Sequence, residues 1–88
     1  MRISRNHDLG VDEAKNRVKR VAVTLEKQFS LRSEWREDEL RFRGSGVNGQ
    51  IAVSDTRIEL HVKLGFALMM MEGPIRSAIE DVLDKEVG

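Results

Sequence analysis

The sequence predicts a single α+β domain in which an antiparallel meander sheet packs against two helices. In two segments, near residues 11–29 and 75–83, apolar residues recur at steps of three and four, as on amphipathic helices. Between these segments the apolar period changes to two, which is typical of strands with one buried face. Short turn signals divide this central region, so we expect the order β-α-β-β-β-β-α with both helices on one face of the sheet.

Length and composition limit the function classes that need to be considered. The 88 residues allow one domain, residues 1–88, and a homodimer would supplement the thin stability of so small a core. Fifteen basic and fifteen acidic residues cancel, so the whole molecule has no electrostatic attraction to nucleic acid or anionic membrane. The absence of cysteine excludes disulfides and thiolate chemistry and suits the cytoplasm. The first ten residues do not form a secretory signal, and the longest apolar run is too short to span a membrane.

Residues 1–29 predict a strand followed by a helix. Ile3 is the clearest inward residue of the strand, and residues 7–10 form a turn. We expect Asp12 to cap the helix, because its carboxylate can accept hydrogen bonds from the N–H groups of the first turn. The helix should end near Gln28. Its apolar stripe consists of Val11, Ala14, Val18, Val21, Ala22, Leu25 and Phe29.

The central region predicts four strands joined by hairpins. Asn48-Gly49 is the strongest hairpin signal, because both residues tolerate positive φ, and we place a two-residue turn there. Asp55-Thr56 forms the next turn. This arrangement sets Gly44 opposite Val53 and Ile51 opposite Leu60. It also gathers one inward set, which continues to the end of the last strand: Leu40, Phe42, Gly44, Gly46, Ile51, Val53, Ile58, Leu60, Val62 and Leu64.

Residues 44–49, GSGVNG, also fit the dinucleotide-binding pattern G-x-G-x-x-G. In a nucleotide site these glycines must open a helix, so that the phosphates meet its N-terminus. Here a predicted strand follows, and the Lys-Ser or Lys-Thr pair of a phosphate-binding loop is missing. We therefore expect no nucleotide cofactor. Gly44 and Gly46 instead allow a close approach of a helix to the sheet, or a bulge.

His7-Asp8 is the first candidate for chemistry, because a histidine beside a carboxylate can act as a base or a metal ligand. Only one other histidine exists, His61, and neither an HExxH motif nor a nucleophile elbow is present. A local turn in which His7 or Asp8 bonds nearby backbone accounts for the pair. We predict no catalytic residue, no metal site and no enzyme activity.

Outward positions of the strands form a candidate face for anionic ligands. Its basic residues are Arg32, Arg36, Arg41, Arg43, Arg57 and Lys63, with Glu34 and Glu59 among them. Phosphates could bind there, but the face has no aromatic residue on which single-strand binders stack bases. A solvated charged face is the simpler interpretation, and a nucleic-acid-binding regulator is only an alternative function.

The run Phe66-Ala-Leu-Met-Met-Met is the best candidate for partner contact. Six consecutive apolar residues cannot all face inward in a regular helix or strand, so some should be exposed or covered by a partner. Methionine adapts to irregular apolar surfaces. The predicted contact residues, including one from the following helix, are Phe66, Leu68, Met69, Met70, Met71 and Ile75.

Three local sequences carry a family resemblance: ISRNHDLGVDEA from residue 3, SGVNG from residue 45 and LGF from residue 64. With the Ile- and Leu-rich last helix they resemble the polyhydroxyalkanoic acid system family over nearly the whole chain. The resemblance implies a setting in bacterial storage-polyester metabolism and no particular reaction. We expect a non-enzymatic, cytoplasmic accessory protein that binds polyester granules or a granule protein. The alternative is a small lipid or acyl-ligand carrier, with space beside Gly44 and Gly46.

Overall fold

A computed structural model describes residues 1–87 and confirms the predicted order β-α-β-β-β-β-α. A short 3₁₀ helix, which the sequence did not predict as such, precedes the last helix. The elements are β1 (Arg2–Asn6), α1 (Gly10–Phe29), β2 (Arg32–Arg36), β3 (Glu39–Gly44), β4 (Val47–Val53), β5 (Arg57–Leu64), the 3₁₀ helix (Phe66–Met71) and α2 (Glu72–Val87).

The five strands form one antiparallel sheet in the order β1-β5-β4-β3-β2. Strands β2 to β5 form the expected meander, and β1 completes the sheet by pairing with the free edge of β5. Ile3 lies opposite Leu60, so the inward residue of β1 joins the apolar side of the sheet. The sheet thus begins and ends with β1 and β2, the strands on either side of α1.

One face of the sheet, the inner face, packs with α1 and α2 around a common apolar core. At its centre Ile51 lies opposite Leu60, as predicted, and both side chains are completely buried. Helix α1 contributes its predicted stripe, and α2 adds Ile75, Ile79, Val82 and Leu83. The opposite face, the outer face, is not covered by either helix. No helix within residues 1–87 is both long and apolar enough to cross a membrane.

The predicted turn at Asn48-Gly49 is wrong. The β3–β4 hairpin turns at Ser45-Gly46, where Gly46 has φ 81°, and Gly44 lies opposite Val47 instead of Val53. The register therefore differs by six positions (53 − 47), and an even offset leaves the side chains outside residues 45–49 on their predicted faces. Val47 joins the core, whereas Gly46 lies in the turn and not on the inner face.

Close packing inside the sheet, and not turn formation, requires glycine at position 49. Gly49 lies inside β4 opposite Phe42, and a β-carbon there would approach both the Phe42 Cζ and the carbonyl oxygen of His61 to 2.4 Å. The phenyl ring thus occupies the space that a side chain at this position would need. At Gly44 a β-carbon would lie 2.7 Å from Leu31 Cδ2, so the expected close approach involves the chain leaving α1.

The predicted cap of α1 is also wrong. The helix begins at Gly10, and Asp12 lies within its first turn. Leu9 occupies the N-cap position and forms no side-chain capping hydrogen bond. The negative charge of Asp12 still favours the helix N-terminus through the helix dipole. At the other end Ser30 adopts a left-handed conformation, and its backbone N–H donates to the Glu26 carbonyl oxygen. This cap turns the chain directly into β2.

Candidate interaction surfaces

The 3₁₀ helix, Phe66–Met71, forms an exposed apolar segment. Phe66 is 92% exposed and Met70 is 97% exposed, while Met69 and Met71 each expose more than half of their surface. None of the six residues is fully buried. Isolated exposed apolar residues are normal on a protein surface, but four large ones within one short turn form a contiguous patch.

Two contacts hold the apolar segment against the sheet. The Gly65 N–H donates to the Gly46 carbonyl oxygen over 2.7 Å, which ties the segment to the β3–β4 turn. Leu68 lies over the same turn and is partly buried against the core. Of the six predicted contact residues, Leu68 is therefore an anchor and Ile75 is a core residue. The other four, Phe66, Met69, Met70 and Met71, are available to a partner.

All six basic residues predicted for the outer face lie there. Arg32, Arg43 and Lys63 occupy one row across four strands, with Asn48 between the last two, because Arg32 lies opposite Arg43, Arg43 opposite Asn48, and Asn48 opposite Lys63. In the next row Arg41 lies between Glu34 and Gln50. The two remaining residues, Arg36 and Arg57, lie opposite Glu39 and Asn6.

Three of the six basic residues, Arg36, Arg41 and Arg57, have an acidic side chain within 4 Å. Arg41 pairs with Glu39 at 2.9 Å, and Arg36 approaches Glu34 at 3.8 Å. Glu39, the first residue of β3, was not among the residues that the sequence placed on the outer face.

Glu59 is the centre of the second compensated group. It accepts hydrogen bonds from His61 at 2.9 Å and from Arg2 at 2.6 Å, and Arg57 lies 3.7 Å away. The hydrogen bond from His61 is the largest cause that lowers the pKa of Glu59 below its ordinary value, and the hydrogen bond from Arg2 is the next largest. Arg2 was missed as a member of this face because the sequence did not indicate where β1 joins the sheet.

The other three basic residues of this face are not charge-compensated. Arg32, Arg43 and Lys63 are exposed, and none of them forms a salt bridge with any of residues 1–87. We call these three residues and Asn48 the basic row. The row borders a shallow open groove of about 890 Å³, whose floor continues to Gln50 and His61.

His7 has a structural role. Its side chain is buried, Nδ1 accepts a hydrogen bond from the Leu9 N–H at 3.1 Å, and Nε2 lies 3.0 Å from the Ser54 carbonyl oxygen. A nitrogen that accepts from an N–H carries no proton, so the neutral ring donates from Nε2 to Ser54. Both nitrogens are engaged, which agrees with a local turn. Within residues 1–87 no group of three His, Asp or Glu side chains is placed to hold a metal ion.

The interior does not fit the acyl-carrier alternative. The cavity between α1 and the sheet measures about 10 Å³, close to the least that one water molecule requires. The space expected beside Gly44 is filled by Leu31, and that beside Gly46 is filled by Leu68. An acyl chain could enter only if the helices separated from the sheet.

A family comparison confirms the resemblance that was predicted from the three motifs. The family model described as "Putative polyhydroxyalkanoic acid system protein" matches residues 1–87. This chain belongs to that family. No curated protein and no solved structure gives a significant match. Among residues 1–87 of this member of the polyhydroxyalkanoic acid system family, the apolar segment and the basic row are exposed on the surface.

Proposed function

We propose that this protein is a non-enzymatic accessory protein of polyhydroxyalkanoate metabolism that adsorbs to polyester granules, or to a protein on them, through the apolar segment. The observation that supports this most is the exposure of Phe66 and Met70, each above 90%. The family supplies the polyester setting, and the cytoplasm would be the compartment.

The apolar segment has the chemistry that a polyester surface requires. Burying a large apolar side chain contributes about 1.5–3 kcal/mol, so Phe66 and Met70 together can supply several kcal/mol of adsorption energy. Methionine side chains are flexible and polarizable, which suits an amorphous polymer without fixed pockets. The anchoring contacts of Gly65 and Leu68 hold the segment in place before it meets the surface.

Sedimentation with purified granules tests the proposal. We expect the double variant Phe66→Ser, Met70→Ser to reduce the granule-bound fraction at least tenfold, since each tenfold change requires about 1.4 kcal/mol. Val23→Ser is the matched control, because Val23 is an exposed apolar residue on α1, 52% exposed and outside the segment. Equal binding of the wild type and the double variant would overturn the proposal.

Granules stripped of protein distinguish the two modes of attachment. Retained binding to stripped granules indicates direct adsorption to the polyester, whereas binding only to native granules indicates a granule protein. A homodimer through the same segment would compete with both. Sedimentation velocity of the wild type and the double variant tests this, because a dimer through the segment should dissociate in the variant.

A further inference from the structure

The basic row combines three positive charges that the fold places in register and leaves without acidic partners among residues 1–87. Arg32 and Arg43 are directly opposite each other on β2 and β3, and Lys63 lies two strands further on. With neighbouring strands about 4.8 Å apart, the row spans roughly 14 Å. Like charges directly opposite across strands destabilise a sheet, so this arrangement is unfavourable in the free protein. A bound polyanion would remove that repulsion.

The side chains of the row are suited to phosphate. The planar guanidinium of arginine matches phosphate oxygens with two parallel hydrogen bonds, and lysine adds a point charge. Asn48 contributes an amide in the same row, and Gln50 contributes another on the groove floor. Glu34 is the one acidic residue among those that line the groove, and its carboxylate lies 3.8 Å from Arg36. The groove therefore presents donors and positive charge to an anion.

The outer face also indicates what kind of phosphate chain fits. Among residues 1–87 no Phe or Trp belongs to its rows: Phe42 and Trp35 are on the inner side, where Lys15 lies 5.1 Å from the centre of the Trp35 ring, and the one imidazole ring, His61, is hydrogen-bonded to Glu59. Single-stranded binders generally use aromatic platforms, whereas a duplex keeps its bases stacked inside and lines its outside with phosphate backbones, which cations can bind without reaching the base edges. The lack of Phe and Trp on this face therefore disfavours single-stranded ligands and does not disfavour a duplex.

We propose that the basic row binds the phosphate backbone of duplex nucleic acid without reading its sequence. This inference does not depend on granule binding and concerns a different surface. Because the whole molecule carries no net charge, long-range attraction is absent and the contact is short-range. Binding is therefore expected at low salt and should weaken steeply as salt rises.

Fluorescence anisotropy with a short labelled duplex DNA tests the proposal. Three phosphate contacts should give a slope of about −2.7 in log K against log salt, because each contributes about −0.9 on duplex DNA. The triple variant Arg32→Gln, Arg43→Gln, Lys63→Gln should lose at least tenfold in affinity and most of that slope. A labelled single strand of the same length should bind more weakly than the duplex.

The matched control removes the same charge from elsewhere. Lys19→Gln, Lys27→Gln, Lys85→Gln changes three exposed lysines on the helices and should leave duplex binding within about twofold of wild type. An equal loss in both triple variants would show that only net charge matters and would overturn the site. Absence of binding at low salt, or tighter binding of the single strand or of inorganic polyphosphate, would overturn the duplex as ligand.

Discussion

The two faces of the sheet differ in the substitutions that they tolerate, although the same strands form both faces. On β4 and β5, Ile51 lies opposite Leu60 on the inner face, and one residue earlier Gln50 lies opposite His61 on the outer face. The first pair is completely buried, whereas the second lines an open groove. The inner face thus carries the stability, and the outer face is free to carry charge and ligands. Substitutions should separate these two properties.

The largest expected effect comes from adding one methyl group to the inner face. Gly49→Ala would place a β-carbon 2.4 Å from both the Phe42 ring and the His61 carbonyl oxygen. Backbone cannot move aside without breaking the β4–β5 pairing, so we expect a loss of about 3 kcal/mol in the free energy of unfolding. Chemical denaturation measures it.

Gly73→Ala is the control for this prediction. A β-carbon at Gly73, in the first turn of α2, meets no atom within 4 Å. Alanine favours the helix, but the following Pro74 disfavours helical backbone at a residue with a β-carbon, so this variant should stay within about 1 kcal/mol of the wild type. A small effect of Gly49→Ala, comparable to that of Gly73→Ala, would mean that the Phe42 ring does not fill the space beside Gly49.

The next largest effect is expected at His7, at the rim of the inner side. His7→Ala removes two part-buried hydrogen bonds that join the end of β1 to the start of α1 and to the β4–β5 turn, together with a buried side chain. We expect a loss of about 2 kcal/mol, since each of the two hydrogen bonds contributes about 0.5–1.5 kcal/mol. His61→Ala, on the outer face, should change stability by no more than about 0.5 kcal/mol. Equal effects at the two histidines would contradict the distinction between the faces.

The two hairpins of β4 show what the sequence could predict. At Asp55-Thr56 the turn signal and the alternation of apolar residues agreed, and the predicted register was confirmed. At Asn48-Gly49 the local turn signal was strong, but the glycine was needed for packing against Phe42, which lies opposite it on β3. Only the three-dimensional contact distinguishes these two uses of glycine. Outside residues 45–49 the inward faces were still correct, because the period of two survives an even shift in register.

The surfaces were predictable to different extents. The exposure of Phe66 and Met70 followed from the length of the apolar run, because no regular element buries six consecutive residues. The anchoring role of Leu68 depends on the position of the β3–β4 turn, which the sequence interpretation misplaced. The composition of the outer face was predicted, but the absence of acidic partners for Arg32 and Arg43 required the cross-strand register.

A smaller effect, dependent on pH, is expected where β1 meets α2. Arg5 donates to Asp84 at 2.7 Å and to Glu80 at 3.1 Å, and the Arg5 bond lowers the pKa of Asp84 below its ordinary value. Since the carboxyl is more acidic in the folded chain, its contribution is present at neutral pH and is lost as the pH falls through the folded-state pKa.

Unfolding measurements between about pH 5 and pH 2 check this dependence. Asp84→Asn should be less stable than wild type at neutral pH, and the difference should shrink towards the acid end. Asp81→Asn is the control, because Asp81 is exposed on the same helix and forms no salt bridge with residues 1–87. A pH-independent difference at Asp84 would show that the carboxylate charge is not what matters there.

The smallest effects should occur on the outer face, and their sign is informative. Arg43→Gln removes a charge that faces Arg32 without an acidic partner, so stability should rise slightly, by no more than about 0.5 kcal/mol. Arg41→Gln removes a charge paired with Glu39 and should lower stability slightly. Both differences should fade as salt rises, because at 0.1 M the screening length is only about 10 Å. Thermal unfolding at low and high salt measures them. If both variants lowered stability equally at low salt, the basic row would be as well compensated as the rest of the face, and the outer face would lack the unbalanced charge that its proposed ligand requires.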